Sequence, residues 1–485
     1  MNLDLFIPEI VLAATAVLVI LLDLFIHSSA ALRYTTVAGL LAAAGFSIAA
    51  WGTHDAAFYG MQAVDDFALF FKILLTGTAV IIVLASADYA GKFRRFQGEY
   101  YALILLSTIG MALMAATTNL IAMYVALELA SLGLYVLTGF LRDNKSTEAS
   151  LKYLLLGATA SAVLLYGMTL VFGVTGTTEL SGIAAAIGSS GLSGVADNPA
   201  LIAGIVMLIA GLGFKIAAVP FHLWVPDVYE GAPTTVTAYL SVASKAAGFA
   251  MVIRIFHTAL AGPVWLGETW GFIFAVVAVL GMFAGNLGAI PQRNIKRMLG
   301  YSSIAQAGYL LVGLATLGYA GPISTTGQSG IIFFLAAYAL TNLGAFTAVI
   351  IISRGTGSDL IDDYAGLGRR SPLLALALTL CLISLTGIPP AAGFMGKFYI
   401  FSQALDRGLL WLVVIAAVNS VISAYYYLRV VKVMWFNDAP SAEAITTSLP
   451  PRIALTLCCA GVLIFGMIPG WLMHLAEIAA NMLAL

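Results

Sequence analysis

Long apolar stretches separated by short polar segments occupy most of this sequence. A membrane-spanning helix needs about 20 mainly apolar residues, and about fourteen stretches of the chain meet that requirement. They lie at 5–26, 33–52, 67–88, 99–117, 119–140, 150–175, 200–219, 234–257, 270–290, 297–318, 329–353, 372–403, 408–435 and 452–475. The pattern predicts an all-α polytopic membrane protein with about fourteen transmembrane helices and short loops.

The composition supports this prediction and excludes several classes of protein. Of the 485 residues, 61% are hydrophobic and 9% are charged, whereas roughly a quarter of a soluble domain is charged. The net charge of -1 leaves no basic excess to neutralise phosphates, so we expect no nucleic acid partner. The sequence has no Cys or His spacing typical of metal or iron-sulfur sites and no glycine-rich phosphate-binding motif. We therefore expect no metal and no cofactor in this chain.

The Lys and Arg residues between the predicted spans indicate an orientation. Fifteen of them follow odd-numbered spans, including Lys92, Arg94 and Arg95, whereas Arg254 and Arg407 alone follow even-numbered spans. Basic residues accumulate in cytoplasmic loops, so this split places both chain termini on the periplasmic side of the membrane.

Glu128 is the acidic residue that lies near the middle of a predicted span, the fifth. An ionisable side chain at mid-bilayer costs at least about 2.5 to 3.5 kcal/mol on insertion scales, so it needs a partner or a water-filled cavity. Two interpretations are open. Glu128 is either part of a structural ion pair or neutral between helices, or it is a carboxylate that gains and loses a proton during a cycle.

Two predicted spans are interrupted by prolines, and each carries one lysine. In the seventh span Lys215 precedes Pro220 and Pro226, and in the twelfth Lys397 follows a Pro-Pro pair. Proline removes a backbone donor and clashes with the preceding turn, so both helices should break. Broken helices at membrane depth line cavities and mark sites in transporters. Both lysines are candidates for proton exchange, with snorkelling as the alternative for Lys215.

The two interrupted spans are five apart, so they cross the membrane in opposite directions. That relationship predicts two inverted five-helix repeats, helices four to eight at 99–257 and nine to thirteen at 270–435. The first three helices at 1–98 and the last helix at 452–485 flank them.

Four further side chains fall within or beside the spans. Lys245, midway along the eighth, is a candidate bridge between the two interrupted spans, with snorkelling as its alternative. Lys152, near one end of the sixth, either tunes Glu128 or binds lipid phosphate. His222, beside the seventh break, either relays protons or caps a helix end. Lys72, near the outer end of the third, is expected to be a snorkelling anchor.

Four segments closely resemble one protein family. They are GLGFKIAAVPFHLWVPDVYEGAP, ASKAAGF, NIKRMLGYSSIAQAGYLLVG and SLTGIPPAAGFMGKFYIF. Over nearly its whole length the chain resembles the antiporter-like membrane subunits of the proton-translocating NADH-quinone oxidoreductase, respiratory complex I. Among them it is more similar to the subunit N group than to subunits L and M, because of the HLWVPDVYEGAP segment and Lys397.

The resemblance implies a role for each buried ionisable residue. Glu128 and Lys215 match the pair that controls proton uptake from the cytoplasm. Lys245 matches the central connecting lysine, and Lys397 the lysine that passes protons to the outer half-channel. Lys152 matches a lysine that modulates the glutamate. The eleventh span, with Tyr338 and Asn342, offers no group that titrates near neutral pH, so a continuous relay needs bound water.

The resemblance also implies what surrounds the chain. It implies FMN, iron-sulfur clusters and quinone in partner subunits, subunit M-like and K-like neighbours in the membrane arm, a peripheral redox arm, and a bacterial inner membrane. The chain would then translocate protons without redox chemistry of its own. Two alternatives stay open: a subunit of a multisubunit sodium/proton antiporter, which shares the broken helices and the Glu/Lys pair, and a purely structural membrane-arm subunit.

Overall fold

The computed structural model describes residues 3–26, 28–89, 96–188, 198–260, 262–319, 326–439 and 443–482. The predicted basic group of Lys92, Arg94 and Arg95 lies outside the described residues. Within the described ranges, helices account for nearly all regular structure, which confirms the all-α membrane class. The helices are α1 Ile7–Phe25, α2 Ser29–Ala49, α3 Asp66–Ala85, α4 Gln97–Ala116, α5 Leu120–Thr138, α6 Asn144–Thr175, α7 Leu180–Gly188, α8 Pro199–Lys215, α9 Trp224–Gly231, α10 Thr234–Ala259, α11 Val264–Ala289, α12 Ile295–Gly318, α13 Thr326–Thr356, α14 Leu367–Arg370, α15 Pro372–Thr386, α16 Ala392–Asp406, α17 Leu410–Phe436, α18 Leu449–Met467 and α19 Gly470–Asn481.

Twelve helices in the described ranges are long and apolar enough to cross a membrane. Two shorter apolar helices, α8 and α15, begin the predicted seventh and twelfth spans. Each is followed by a non-helical turn and a second helix, α9 or α16, so both predicted interruptions are confirmed. The count of fourteen spans and the inverted repeats stay predictions.

Three features were not predicted at this level of detail. A two-stranded antiparallel hairpin, β1 Asp55–Ala57 and β2 Gln62–Val64, connects α2 to α3. The last predicted span is two helices, α18 and α19, because the chain turns at Pro469. Two short 3-10 turns, Leu3–Phe6 and Ile361–Tyr364, complete the regular structure in the described ranges.

The two breaks have the same local cause. After α8 the chain passes through Ala217, whose φ of 62° is left-handed, and reaches Pro220 before α9 begins. After α15 it passes through Gly387, whose φ of 90° suits glycine, and reaches Pro390 before α16 begins. In both cases the carbonyls at the end of the first half are left without helical partners.

The centre of the protein is formed by α10, α12 and α13. The most apolar stretch of α10 is fully buried, and those of α12 and α13 are 94% buried. In contrast, α1, α2, α6, α17 and α18 bury a third or less of theirs and expose large apolar side chains, as expected of helices that face lipid. Polar groups on α10 and α12 are therefore shielded from lipid.

Two predictions about single cations were wrong. Lys72 does not snorkel, because its side chain is buried and its Nζ lies 2.7 Å from Glu9 Oε1 on α1. Arg254 is not a loop residue, because it is buried in α10 and pairs with both carboxylate oxygens of Asp65 at 2.9 Å. Both pairs attach α3 to other helices, since Asp65 also caps its first turn through Ala68 N.

Asp88 forms an ion pair that connects three parts of the bundle. Asp88, in the turn after α3, accepts hydrogen bonds from Thr447 Oγ1 and Ser448 N and lies 2.6 Å from Arg354. Burial raises the pKa of Asp88, but these hydrogen bonds and the Arg354 charge outweigh it, so the pKa is lowered from 3.8. The carboxylate therefore ties the segment before α18 to α3 and α13.

Candidate functional site

Glu128 lies on one face of α5 together with Ser131 and Tyr135, at helical spacings of three and seven residues. The helix begins at Leu120 because Asn119 caps it, accepting hydrogen bonds from the backbone of Ile121 and Ala122. On the neighbouring helix α6, Ser161 Oγ donates a short hydrogen bond to Glu128 Oε1. The carboxylate therefore has a hydroxyl partner at membrane depth.

Lys215 is the last residue of α8, and its side chain is 4% exposed. Its Nζ donates a hydrogen bond to Ser131 Oγ at 3.0 Å. Glu128 and Lys215, both in the described part of the chain, form no ion pair within 4.0 Å. Glu128 thus lies one helical turn from Ser131, the residue that binds Lys215, and the two charged side chains make no direct contact.

Lys245 is buried in α10, immediately after a π-helical turn at Leu240–Ser244. Its Nζ donates to Ser303 Oγ at 2.6 Å and to the Ser303 carbonyl through a short hydrogen bond. The Nζ also lies 5.1 Å from the centre of the Tyr338 ring, at cation–π distance. Lys245 is therefore held by α12 and α13, the two other central helices.

The Ser303 hydroxyl, which binds Lys245, also contacts the hydroxyl groups of two tyrosines. Tyr338 OH lies 3.0 Å from Ser303 Oγ, and Tyr229 OH, on α9, lies 3.3 Å from it. The cluster joins the second half of the broken seventh helix to the central lysine.

Lys397 is buried on α16, and the break itself supplies its hydrogen-bond acceptors. Its Nζ donates to the carbonyls of Leu385 and Thr386 at 3.3 and 2.9 Å and to Ser420 Oγ at 3.2 Å. These two carbonyls end α15, where they lack helical partners and carry the negative end of the helix dipole. Lys397 Nζ also lies 4.1 Å from the centre of the Tyr309 ring.

Hydroxyl and amide groups line α12 between Lys245 and Lys397. Ser302, next to Ser303, makes a short hydrogen bond with Tyr427 OH. Gln306, one turn further, donates a hydrogen bond to Leu385 O at 2.8 Å. The same carbonyl also accepts a hydrogen bond from Lys397. These residues were not predicted because neutral polar side chains are less conspicuous in an apolar helix than charged ones. The spacing of Ser302, Ser303 and Gln306 on one helix is the signal that could have revealed them.

Lys152 is placed away from Glu128. Its Nζ lies 2.7 Å from carboxylate oxygens of both Glu148 and Asp227, and its side chain is 42% exposed. Asp227 also pairs with Arg297 at 2.7 Å, and Arg297 lies 3.1 Å from Glu230. Together these groups line an open cavity of about 220 Å³, which we name the ionic cavity. Its charged residues are Lys145, Glu148, Lys152, Asp227, Glu230 and Arg297.

Lys296 holds the end of α9 from the start of α12. It is buried, and its Nζ donates at 2.8 Å to the carbonyls of both Glu230 and Ala232. These carbonyls belong to the last turn and the C-cap of a short helix, where a cation is favoured. Lys296 therefore ties the C-terminal end of α9 to the first turn of α12.

His222 lies in the turn between α8 and α9 and is half-buried. Its Nδ1 is buried and has no hydrogen-bond partner. No hydrogen bond within the described residues joins it to Lys215, Lys245 or Glu128, so its role stays a prediction. Among the described residues, no group of three or more His, Cys, Asp or Glu is placed to hold a metal ion.

Comparison with known proteins places the chain in a family. A family model described as NADH:quinone oxidoreductase/Mrp antiporter, transmembrane, matches residues 117–423. A relative from Dehalococcoides mccartyi, named NADH-quinone oxidoreductase subunit N, is 50% identical over 485 residues, which cover 99% of this chain and 100% of the relative.

Solved structures agree on the fold. A chain of respiratory complex I from Thermus thermophilus, solved with bound aureothin, is 34% identical, with a TM-score of 0.80 over 97% of this chain and 99% of that one. A chain of the Mrp complex from Dietzia sp. is 21% identical, with a TM-score of 0.82 over 99% and 97% of the two chains, and this likeness concerns the fold alone. The chain therefore belongs to the subunit N family of NADH-quinone oxidoreductases.

Proposed function

We propose that this chain is a proton-translocating membrane-arm subunit of a redox-driven NADH:quinone oxidoreductase. It moves protons through Glu128, Lys215, Lys245 and Lys397 and performs no redox chemistry itself. The observation that carries the proposal is the setting of the three lysines. Each is at most 4% exposed, and each ammonium is hydrogen-bonded to hydroxyls or carbonyls instead of being paired with a carboxylate.

This setting suits proton transfer. A buried charge without a counter-ion responds strongly to a change of charge nearby, because the local dielectric constant is low. Loss of a proton leaves a neutral amine whose hydroxyl and carbonyl neighbours remain in place. Proton gain or loss at Glu128 would therefore change the electrostatic energy of the Lys215 ammonium, which binds Ser131 one helical turn away.

The similarity of this chain to subunit N relatives and to a chain of respiratory complex I supports a set of partner subunits. We infer that the chain packs in the membrane arm against subunit M-like and K-like neighbours. FMN, iron-sulfur clusters and quinone would reside in partner subunits. The conformational or electrostatic signal that drives the relay would then come from those neighbours.

The charge pattern supports an orientation in the bacterial inner membrane with both termini on the periplasmic side. In that orientation the ionic cavity faces the cytoplasm, because α6 and α12 begin and α9 ends beside it.

We further propose that predicted spans four to eight, at 99–257, and nine to thirteen, at 270–435, form inverted repeats. The two lysine-bearing breaks would then be equivalent positions of the two repeats.

Lys152 would act on Glu128 only indirectly, since its direct partners are Glu148 and Asp227. His222 stays a supporting candidate.

A subunit of a sodium/proton antiporter is the alternative, and it rests on the shared fold. The names and identities of the relatives favour the NADH-quinone oxidoreductase. Copurification with NADH-oxidising and iron-sulfur subunits after gentle solubilisation supports our proposal, and a complex without them supports the alternative.

The proposal is tested in inside-out membrane vesicles that carry the whole complex. Lys215→Ala and Glu128→Gln should each lower NADH-driven proton uptake while the complex still assembles. Lys432→Ala is the matched control, because Lys432 is an exposed cation on α17. Wild-type proton uptake in both relay variants would overturn the assignment.

A further inference from the structure

Four aromatic side chains form one contiguous cluster next to Lys215, which we name the aromatic layer: Tyr135, Tyr153, Phe214 and Trp224. Tyr153 stacks on Trp224 with ring centres 4.6 Å apart and on Phe214 at 6.1 Å. Tyr135 meets Tyr153 edge-on at 4.7 Å. Tyr153, Phe214 and Trp224 are buried, so the stack is shielded from solvent.

Lys215 and its hydrogen-bond partner Ser131 are close to the aromatic layer along their helices. Phe214 directly precedes Lys215 on α8, and Tyr135 lies about one turn beyond Ser131 along α5. Glu128 lies further along the same face of α5, away from Tyr135.

Residues of the ionic cavity also adjoin the aromatic layer along their helices. Lys152 directly precedes Tyr153 on α6, and Asp227 follows Trp224 by three residues on α9. Both charged residues line the cavity, which is open. The residues of the layer are therefore direct neighbours both of charges that line the open cavity and of the buried ammonium.

Trp224 connects the layer to both halves of the broken helix. It is the first residue of α9, and its Nε1 donates a hydrogen bond at 3.1 Å to Phe214 O, near the end of α8. A displacement of α9 would therefore pull the indole away from Tyr153. What fixes α9 decides whether the stack is closed.

Asp227, on α9, pairs with cations on two other helices. Its Oδ2 accepts a hydrogen bond from Lys152 Nζ on α6, and its Oδ1 accepts one from Arg297 on α12, both at 2.7 Å. Glu230, one turn on, contacts Arg297, and Glu148 contacts Lys152 from within α6. Among these acids only Asp227 joins α6, α9 and α12.

We propose that the aromatic layer is a gate between the ionic cavity and Lys215, and that Asp227 is the positioning residue that holds it closed. This inference rests on the proposed function, because a gate matters if protons enter from the cavity. Asp227 does not touch Lys215 or Glu128; it acts through the position of α9 and Trp224.

The test measures access across the layer without any turnover. Ser131→Cys is introduced into the complete complex, in inside-out vesicles, and a membrane-impermeant thiol reagent is added outside. The rate of labelling at position 131 is read from the mass of the peptide that contains it, so the native cysteines can stay. With Asp227 intact, labelling should be slow.

Asp227→Asn should speed this labelling about fivefold, as expected when two partly exposed ion pairs that stabilise the closed state are lost. Asp227→Glu should restore slow labelling. Glu148→Gln is the matched control, because it removes a partner of Lys152 that does not contact α9, and labelling should stay slow. If Asp227→Asn does not assemble, Trp224→Ala opens the layer directly and should give the same acceleration.

Labelling rates that stay equal with Asp227 intact, in Asp227→Asn and in Trp224→Ala would overturn the gate. Because no NADH is present, this outcome is separate from failure of the proposed function. Failure of that function would instead appear as normal proton uptake by the Lys215 and Glu128 variants.

Discussion

Lys215 Nζ donates a hydrogen bond to Ser131 Oγ, and these two atoms are 3.0 Å apart. Ser131 also donates to the carbonyl of Leu127, so its hydroxyl is held in one orientation toward the lysine. Since Ser131 lies one turn from Glu128 on α5, a small hydroxyl group connects the environments of the two charged residues. Lys215 therefore binds a neutral side chain one helical turn from Glu128 instead of the carboxylate itself.

Ser131→Ala should weaken proton uptake without removing either charged residue. It takes away the hydroxyl that accepts from a buried ammonium, a loss of about 1 to 3 kcal/mol. We expect NADH-driven acidification of inside-out vesicles to fall by about fivefold or more. Thr138→Ala on the same helix, where the hydroxyl binds only the Leu134 carbonyl, should leave it near wild type. Equal acidification by the two variants would show that the Ser131 hydroxyl is not needed for proton transfer.

Ser303→Ala should act at the central lysine. The Ser303 hydroxyl contacts Lys245, Tyr229 and Tyr338, so its loss leaves three buried polar groups without that partner. We expect a several-fold loss of proton uptake in the vesicle assay and a smaller loss for Tyr338→Phe, which keeps the ring beside Lys245. A larger defect in Tyr338→Phe than in Ser303→Ala would contradict this order.

Glu9→Gln should destabilise the packing of α1 on α3. Removal of one partner of a buried ion pair costs about 3 to 5 kcal/mol, because the other charge stays buried. A double variant, Glu9→Leu with Lys72→Met, should recover most of that loss, since it buries no charge. Thermal unfolding of the solubilised complex measures both. Asp438→Asn, in the exposed pair with Arg369, is the control and should change little. Recovery absent in the double variant would show that the pair has another role.

Asp88→Asn should lower the thermal stability of the complex by the same amount at pH 6 and pH 8. The pKa of Asp88 is lowered from 3.8 in the folded protein, so its carboxylate contributes stability above 3.8 and loses it as the pH falls further. Both pH values lie above that window. A difference between wild type and variant that changes between pH 6 and pH 8 would contradict this assignment.

The breaks were predictable from sequence because their cause is local. Pro220 and Pro390 interrupt their helices whatever surrounds them. The four relay candidates were predictable because charge is costly in the membrane wherever it occurs. Neither inference needed to know which helices are neighbours.

The partners of those charges were not predictable. Lys245 meets Ser303, 58 residues away, and Lys215 meets Ser131, 84 residues away, through the packing of separate helices. For the same reason Lys72 was taken for a surface anchor: its partner Glu9 lies two helices earlier. Lys152 could not be assigned to Asp227 from sequence either, since they are 75 residues apart.

In the proposed function, Glu128, Lys215, Lys245 and Lys397 carry protons across the membrane. The most direct measurement is the number of protons translocated per NADH oxidised by the complex in proteoliposomes, for wild type and for Glu128→Gln, Lys215→Met, Lys245→Met and Lys397→Met combined. Our account predicts a lower number for the combined variant in a complex that still assembles and oxidises NADH. An unchanged number would contradict it and would indicate a purely structural subunit.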